Sequence, residues 1–189
     1  MGPLSCEKVL KPLTRLGAKV TLISDLVYAG SDTLATSYIL SKAINQMEYD
    51  LIICGRQSVD GDTAQVGPML SAMLKKELVT NVLNAEVSDN CLNLITRMGS
   101  QNVKTPALIT VERSYLLRFP SIFSKESDIN ILSNKNLCCD EKKCGLSGSP
   151  TRVLETYENT SGKRKCKFIS YDELPKLIEK LKEKNTKKI

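Results

Sequence analysis

The stretch LIICGRQSVDGDTAQVGP, residues 51–68, constrains the fold of this chain more than any other. Leu51–Cys54 is a short apolar run ended by Gly55, which predicts a buried strand. The residues from Thr63 onward predict a helix, and the loop between is rich in Gly, Asp and hydroxyl groups. The order of strand, polar loop and helix predicts a βα unit.

The loop of this unit has residues suited to binding an anion or a nucleotide. A helix N-terminus carries unpaired N–H groups and partial positive charge, so a loop that opens a helix can hold a phosphate or a carboxylate. Gly61 lets the backbone approach a ligand closely, and Asp62 or Thr63 can cap the helix. The Thr63 hydroxyl or the Gln65 amide can reach a ligand oxygen. Because Asp60 and Asp62 would repel a phosphate, at least one is expected to be a cap, and a capped turn without a ligand is the alternative.

An earlier segment repeats the same pattern. Val20–Ser24 predicts a strand and Thr33 begins a predicted helix, while Asp32–Thr33 and Asp62–Thr63 lie thirty positions apart. Two successive strands that feed similar loops predict one parallel sheet, at whose edge open α/β folds bind ligands. We therefore expect the two loops to share a nucleotide-sized site.

Other elements follow from local patterns. Val66–Leu74 predicts an amphipathic helix that ends at two lysines, and Val79–Val87 with Cys91–Arg97 predicts a hairpin. Ala107–Val111 predicts a central strand. The apolar positions within 7–16 predict a helix at the start of the chain, with no strand before it.

Composition narrows the classes of function. The chain has no His, and no nucleophile stands beside a general base, so no catalytic residue is predicted. The seven cysteines show no disulfide spacing; Cys6, Cys54 and Cys91 are expected to be buried. Cys138, Cys139 and Cys144 could hold a metal only if Cys166 came close, so plain thiols and no metal are predicted.

The charge is concentrated at the end of the chain. Residues 163–189 carry ten Lys or Arg and four Asp or Glu, a surplus of six that equals the net charge of +6. Aromatic residues are not interleaved with these lysines as nucleic-acid stacking requires, so a solvated helix face is the favoured interpretation. No run is long enough to span a bilayer and no signal-peptide pattern is present, which predicts a soluble, cytoplasmic protein.

The chain also carries, in order, the motifs MGP (1–3), SD (24–25) with AGSDTLATS (29–37), CGRQ (54–57), DGDTAQVGP (60–68), PALITV (106–111) and CGLSGSPTRV (144–153). Together these resemble the beta subunit of electron transfer flavoproteins, the FixA family. The resemblance implies an α/β, Rossmann-like fold of the adenine nucleotide alpha hydrolase type. Its mostly parallel sheet carries an antiparallel hairpin and is followed by an extended C-terminal arm. In that family a βαβ portion precedes the Met-Gly-Pro turn, so this chain is expected to lack an N-terminal portion.

The resemblance implies a cofactor and its ligands. Beta subunits of this family bind either AMP or a second FAD, and the DGDTAQVGP form is similar to the FAD-binding, electron-bifurcating kind. FAD is therefore favoured and AMP is the alternative, with Thr33 and Thr36 near the phosphates of an FAD. The residues expected to contact the cofactor are Met1, Gly30, Asp32, Thr33, Thr36, Gly55, Arg56, Gln57, Ser58, Val59, Asp60, Gly61, Asp62, Thr63, Ala64, Gln65 and Val66.

The resemblance also implies partners. With an alpha subunit that holds the redox flavin, such a subunit passes electrons between dehydrogenases, such as acyl-CoA dehydrogenase or an NADH-oxidising enzyme, and an acceptor. Arg118, Phe119, Pro120 and Ile122 are expected to open a loop that recognises the dehydrogenase. Apolar packing under the domain is the alternative, and the basic helix that usually follows is shortened here. A stand-alone adenine-nucleotide-binding module without redox activity is the alternative function.

Two domains are predicted. Residues 1–133 form the nucleotide-binding domain, and residues 134–189 form an arm and helix that contact the alpha subunit. Ser170–Glu173 reads as a capping box for that final helix, whose apolar stripe is Leu174, Leu177, Ile178 and Leu181.

Overall fold

The computed structural model describes residues 1–59, 61–88, 91–112, 119–156 and 168–179. The chain divides into two compact units, Met1–Arg152 and Val153–Ile189. The sequence placed the boundary at 133–134, whereas residues 134–152 belong to the first unit. The candidate site lies entirely in this first unit.

The described residues of the first unit form four α-helices and seven strands, together with short 3-10 turns. The helices are α1 (Glu7–Leu10), α2 (Thr33–Ile44), α3 (Val66–Leu74) and α4 (Asn134–Leu137). The strands are β1 (Thr21–Ile23), β2 (Leu51–Gly55), β3 (Glu77–Ser88), β4 (Cys91–Thr96), β5 (Gly99–Lys104), β6 (Ala107–Val111) and β7 (Asn130–Leu132).

The strands form two sheets. The larger sheet has the order β2-β6-β3-β4-β5, in which β6 is parallel to both β2 and β3 while β4 is antiparallel to β3 and β5. The smaller sheet pairs β1 with β7 in parallel. The repeated βα unit predicted that β1 and β2 lie in one parallel sheet. This prediction is wrong, because β1 and β2 belong to different sheets. The mostly parallel centre and the antiparallel addition are confirmed.

Alternating burial explains how the larger sheet packs. In β4 every second side chain is buried, as expected for a strand with one face turned to a core. Those residues pack with apolar residues of β3, β5 and β6 on one face, while α3 covers Leu108 of β6 on the other. β6 is buried at four of its five positions and lies between β2 and β3. The central position predicted for Ala107–Val111 is confirmed.

The remaining local predictions were correct to different degrees. The hairpin of β3 and β4 is confirmed, but β5 was missed because Gly99–Lys104 has few apolar residues and buries only one of its six. The start of the chain is helical from Leu4 to Leu16, as a short α-helix between two 3-10 turns. The three cysteines expected to be buried, Cys6, Cys54 and Cys91, are only half-buried.

The second unit is described only in part. Residues 174–179 are helical, as predicted, and follow a 3-10 turn at Tyr171–Glu173. Ser170 stands at the N-cap position with extended backbone, but its side chain makes no capping hydrogen bond to the described residues. The capping box predicted there is therefore wrong. Leu174, Leu177 and Ile178 are partly exposed, and none of the described helices is long and apolar enough to cross a bilayer.

Candidate functional site

The loop between β2 and α3 folds back on itself before the helix begins. Asp62 and Ala64 both have positive φ, 48° and 55°, so the backbone between them cannot be helical. The Gln57 amide donates a hydrogen bond to the Asp62 carboxylate, and the Asp62 N–H donates to Ser58 O. The helix therefore starts at Val66, and the predicted caps Asp62 and Thr63 are wrong, because Asp62 is held inside the loop.

Two cavities lie against this loop. One, of about 370 Å³, is lined by Cys54, Gly55, Arg56, Gln57, Ser58, Thr63, Ala64, Gln65, Val66 and Gly67. The other, of about 570 Å³, is lined by Gly55, Arg56, Gln57, Ser58, Val59, Asp62, Val111 and Glu112. They share the four residues 55–58, and both volumes lie in the range of about 300–1,000 Å³ typical of small-molecule sites.

The N-terminus of α3 opens onto the smaller cavity. The Gln65 side chain, at the N-cap position, makes no capping hydrogen bond to the described residues, and no acidic residue lies in the first turn. Val66 and Gly67 of that turn line the cavity. Because backbone N–H groups at a helix N-terminus attract anions, this end of the site suits a phosphate.

A glycine sets how closely α3 approaches the sheet. A Cβ added to Gly67 would lie 2.6 Å from Thr110 Cγ2 on β6 and 3.8 Å from Cys54 Cβ on β2. A Cβ contact under about 3 Å is repulsive, so only glycine allows this approach. The first turn of α3 is thereby held against the carboxyl ends of β2 and β6.

The two loops that the repeat pattern compared do meet. The Thr33 hydroxyl, at the start of α2, donates a 3.0 Å hydrogen bond to Gln65 Oε1. The Ser37 hydroxyl lies 3.4 Å from Val66 O, one turn further along. These contacts place the first turn of α2 beside the first turn of α3. The predicted neighbourhood of the two loops is confirmed, although their strands are not paired.

Both carboxylate oxygens of Asp32 accept hydrogen bonds from within the protein. One carboxylate oxygen accepts from the N–H groups of Leu34 and Ala35 and so caps α2. The other accepts from the N–H and the hydroxyl of Thr151, at 3.2 and 2.8 Å. Burial raises the pKa of the Asp32 carboxyl, but these hydrogen bonds outweigh it and hold the pKa below the ordinary value. With four donors on its two oxygens, Asp32 shapes the loop.

Other residues assigned to the cofactor lie elsewhere. Met1 and Gly30 line a different cavity, of about 590 Å³, at the end of β1. Thr36 is half-buried in α2 and lines neither cavity beside the loop. Asp60 falls outside the described residues. The structure therefore brings together Gly55–Val59, Gly61–Val66 and Thr33, and places Met1 and Gly30 apart from them.

Glu112 was missed as a site residue. It directly follows β6, and its carboxylate, 13% exposed, accepts from Arg56 at 3.0 Å and lies 3.5 Å from Arg97. β6 is parallel to β2, so the residue after it stands beside the residue after β2. The position of Glu112 directly after a predicted parallel strand was the available signal.

The predicted dehydrogenase-binding segment is exposed. Phe119 and Ile122 are almost fully exposed, as is Phe123. Arg15 holds the backbone of this turn by donating to the carbonyls of Ser121 and Ser124. Arg118 lies outside the described residues. A backbone held in place with large apolar side chains turned outward is typical of a recognition surface.

The family model of the electron transfer flavoprotein domain matches residues 1–115. The chain belongs to the electron transfer flavoprotein family. Those residues include every strand of the larger sheet and the whole loop between β2 and α3, so the family match covers the candidate site.

Its relatives in the electron transfer flavoprotein family include named beta subunits. The chain is 38% identical to the electron transfer flavoprotein subunit beta of Thermoanaerobacterium thermosaccharolyticum, over 82% of this chain and 64% of that protein. It is 34% identical to the subunit beta of Clostridium acetobutylicum, with the same 82% and 64% coverage. It is 30% identical to the caffeyl-CoA reductase-Etf complex subunit CarD of Acetobacterium woodii, over 98% of this chain and 76% of that protein. The chain thus spans less than two thirds of the length of the first two relatives.

Proposed function

We propose that this protein acts as the beta subunit of an electron transfer flavoprotein and binds an adenine nucleotide at the loop between β2 and α3. The observation that supports this is the N-terminus of α3, where Gln65 makes no side-chain capping hydrogen bond to the described residues and which opens onto a cavity walled by Gly55–Ser58 and Thr63–Gly67. Backbone N–H groups there suit a phosphate, while Thr33 and Gln65 offer polar groups from two converging loops. The residues present therefore fit a nucleotide phosphate.

The nucleotide we propose is FAD, with AMP as the alternative. The DGDTAQVGP sequence favours FAD through its resemblance to bifurcating family members. A bound flavin would supply the electron-accepting chemistry, since no side chain here is arranged for it. The chain's own residues position the nucleotide: the α3 N-terminus binds phosphate, Gly67 keeps that turn against β6, and Asp32 holds the neighbouring loop.

We further propose that an alpha subunit completes the protein and that a flavoprotein dehydrogenase or reductase docks on the turn at Phe119 and Ile122. The exposure of these side chains on an anchored turn supports this surface. The alpha subunit is proposed to contact residues 134–189.

The test of the nucleotide site is co-expression with a candidate alpha subunit, followed by counting flavin and AMP per complex. We expect one adenine nucleotide bound by this chain, and its loss in Thr63→Ala and Gln65→Ala variants. Thr80→Ala and Gln101→Ala, at exposed positions of β3 and β5, are the matched controls. A complex without nucleotide, or one indifferent to both site variants, would refute the proposal. A single polypeptide that binds AMP and no alpha subunit would favour a stand-alone nucleotide-binding module.

The docking surface has its own test. Ile122→Ala should slow electron transfer to or from the partner dehydrogenase without changing bound nucleotide, because the side chain is 85% exposed. Met98→Ala, on the exposed turn between β4 and β5, is the control. Equal rates for both variants would exclude this turn as the docking site.

A further inference from the structure

Charged residues from three separate segments of the chain meet beside the loop between β2 and α3, and local sequence patterns did not reveal this cluster. Arg56 follows β2, Glu112 follows β6, and Arg97 stands in the turn between β4 and β5. Arg56 Nη1 lies 3.0 and 3.3 Å from the two Glu112 carboxylate oxygens, and Arg97 Nη2 lies 3.5 Å from the first of them. Two guanidinium groups therefore share one carboxylate, and we call this group the arginine-glutamate cluster.

The backbone of the cluster is held on both sides. The Arg56 N–H donates a 3.0 Å hydrogen bond to Val111 O, and the Glu112 N–H donates a 3.1 Å hydrogen bond to Val82 O. These bonds continue the β2–β6 and β6–β3 ladders by one residue beyond the strand ends. Because the backbones of both residues are pinned to the sheet, the ion pair restricts the Arg56 side chain and does not merely follow a mobile loop.

Exposure shows which member can reach a ligand. The Glu112 side chain is 13% exposed, whereas the Arg56 side chain is 42% exposed. Both residues line the cavity of about 570 Å³, which Asp62 also lines, and Arg56 lines the smaller cavity at the α3 N-terminus as well. A guanidinium has five N–H donors, and Arg56 contacts Glu112 through Nη1. Arg56 can therefore donate to Glu112 and to an anionic group together.

We propose that Glu112 is a positioning residue of the nucleotide site: its carboxylate, shared with Arg97, aims the Arg56 guanidinium at the phosphate of the bound nucleotide. This inference rests on the proposed function. Guanidinium groups recognise phosphate through paired, directional hydrogen bonds, so their orientation matters as much as their charge. Glu112 acts only through Arg56 and is not itself a ligand of the nucleotide.

The effect of Glu112→Gln on AMP affinity separates positioning from simple electrostatics. Removing a negative charge near a phosphate would by itself tighten AMP binding. Loss of the hydrogen bonds that orient Arg56 instead weakens binding, by about tenfold for one charge-assisted hydrogen bond lost. Isothermal titration with AMP of the complex with the alpha subunit, freed of its bound nucleotide, should therefore show a higher Kd for Glu112→Gln and an unchanged Kd for the control Glu86→Gln, which is exposed on β3.

A double-mutant cycle tests the coupling. Arg56→Lys keeps the charge but loses the planar fork, so we expect Glu112→Gln to change Kd by less than about twofold in that background. Additive effects would overturn the proposal. So would a Glu112→Gln variant that melts at a lower temperature but binds AMP like the wild type, since that result describes a structural role only.

A measurement without ligand keeps this inference distinct from the proposed function. Rotation of the Arg56 Nη groups, followed by ¹⁵N NMR, should be slow in the wild type and fast in Glu112→Gln. Fast rotation in the wild type would overturn the positioning role. A wild-type complex with the alpha subunit that binds no adenine nucleotide would refute the proposed function, whereas a Glu112→Gln complex that binds AMP as tightly as the wild type would refute only the inference.

Discussion

Gly67→Ala is expected to destabilise the protein because the new Cβ has no room. It would lie 2.6 Å from Thr110 Cγ2, whereas the contacts to Cys54 Cβ and Leu108 Cδ2, at 3.8 and 3.9 Å, are ordinary. A single overpacked contact of this kind costs about 1–3 kcal/mol. Alanine gains up to about 1 kcal/mol over glycine in a helix, so the net loss lies between about 0 and 3 kcal/mol.

A second substitution tests whether that one methyl group is the cause. Thr110→Ser removes Cγ2 and keeps the hydroxyl that accepts a 3.1 Å hydrogen bond from the Asn81 N–H. Alone it should cost about 1 kcal/mol, the value of one buried methyl group. Combined with Gly67→Ala, it vacates the space that the new Cβ needs. The double variant should therefore lose about 1–3 kcal/mol less stability than the two single variants lose together.

Urea unfolding of the four proteins in this cycle measures the coupling. Gly55→Ala is the control, because a Cβ there would meet nothing within 4 Å. We also expect Gly67→Ala to weaken AMP binding, since pushing α3 away from β6 moves the N–H groups that face the cavity. A Gly67→Ala protein more stable than the wild type, or a cycle in which Thr110→Ser shows no favourable coupling with Gly67→Ala, would refute the packing argument.

Two further predictions concern titratable groups. Hydrogen bonds from the N–H groups of Asn134 and Val27 lower the pKa of the Asp25 carboxyl, and the pKa of the Asp32 carboxyl is also lowered from 3.8. Both ionised carboxylates therefore stabilise the folded protein above about pH 4, and this stabilisation is lost as the pH falls through their folded pKa values. Thermal melting between about pH 2 and 6 should show a steeper loss for the wild type than for Asp25→Asn combined with Asp32→Asn, and equal slopes would contradict the assignment. Burial raises the pKa of the Cys144 thiol to about 11. Maleimide at neutral pH should therefore label exposed Cys138 and leave Cys144 unmodified, as measured by peptide mass mapping. Equal labelling of the two thiols would contradict the burial of Cys144.

Local patterns predicted the elements whose signal lies within a few neighbouring residues. The strand β2, the hairpin of β3 and β4 and the helix α3 each follow from periodicity and flanking turn residues, and each is present. The burial predicted for β2 is wrong, because this strand lies at the edge of the sheet and has no buried residue. The meeting of the two loops could also be predicted, because repeated βα units bring their loops to one region. The motif DGDTAQVGP pointed to the correct family, as the match over residues 1–115 shows.

The roles of individual acidic residues depended on contacts between distant parts of the chain. Asp32 and Asp62 look alike in sequence, yet Asp32 caps its helix and binds Thr151, while Asp62 accepts from Gln57 in a left-handed turn. The pattern also predicted equivalent helix starts, which the positive φ angles at Asp62 and Ala64 prevent. Neither difference is visible in the local alternation of apolar and polar residues.

The amino-acid order alone predicted a strand, a polar loop and a helix over residues 51–74, but it did not show that β2 lies at the edge of its sheet with no fully buried side chain. It could not specify the approach of Gly67 to Thr110, or the meeting of Arg56 and Arg97 at the Glu112 carboxylate. Helix and strand patterns arise from neighbours along the chain, whereas these contacts join residues that come together only when β2, β6 and the β4–β5 turn pack into one sheet.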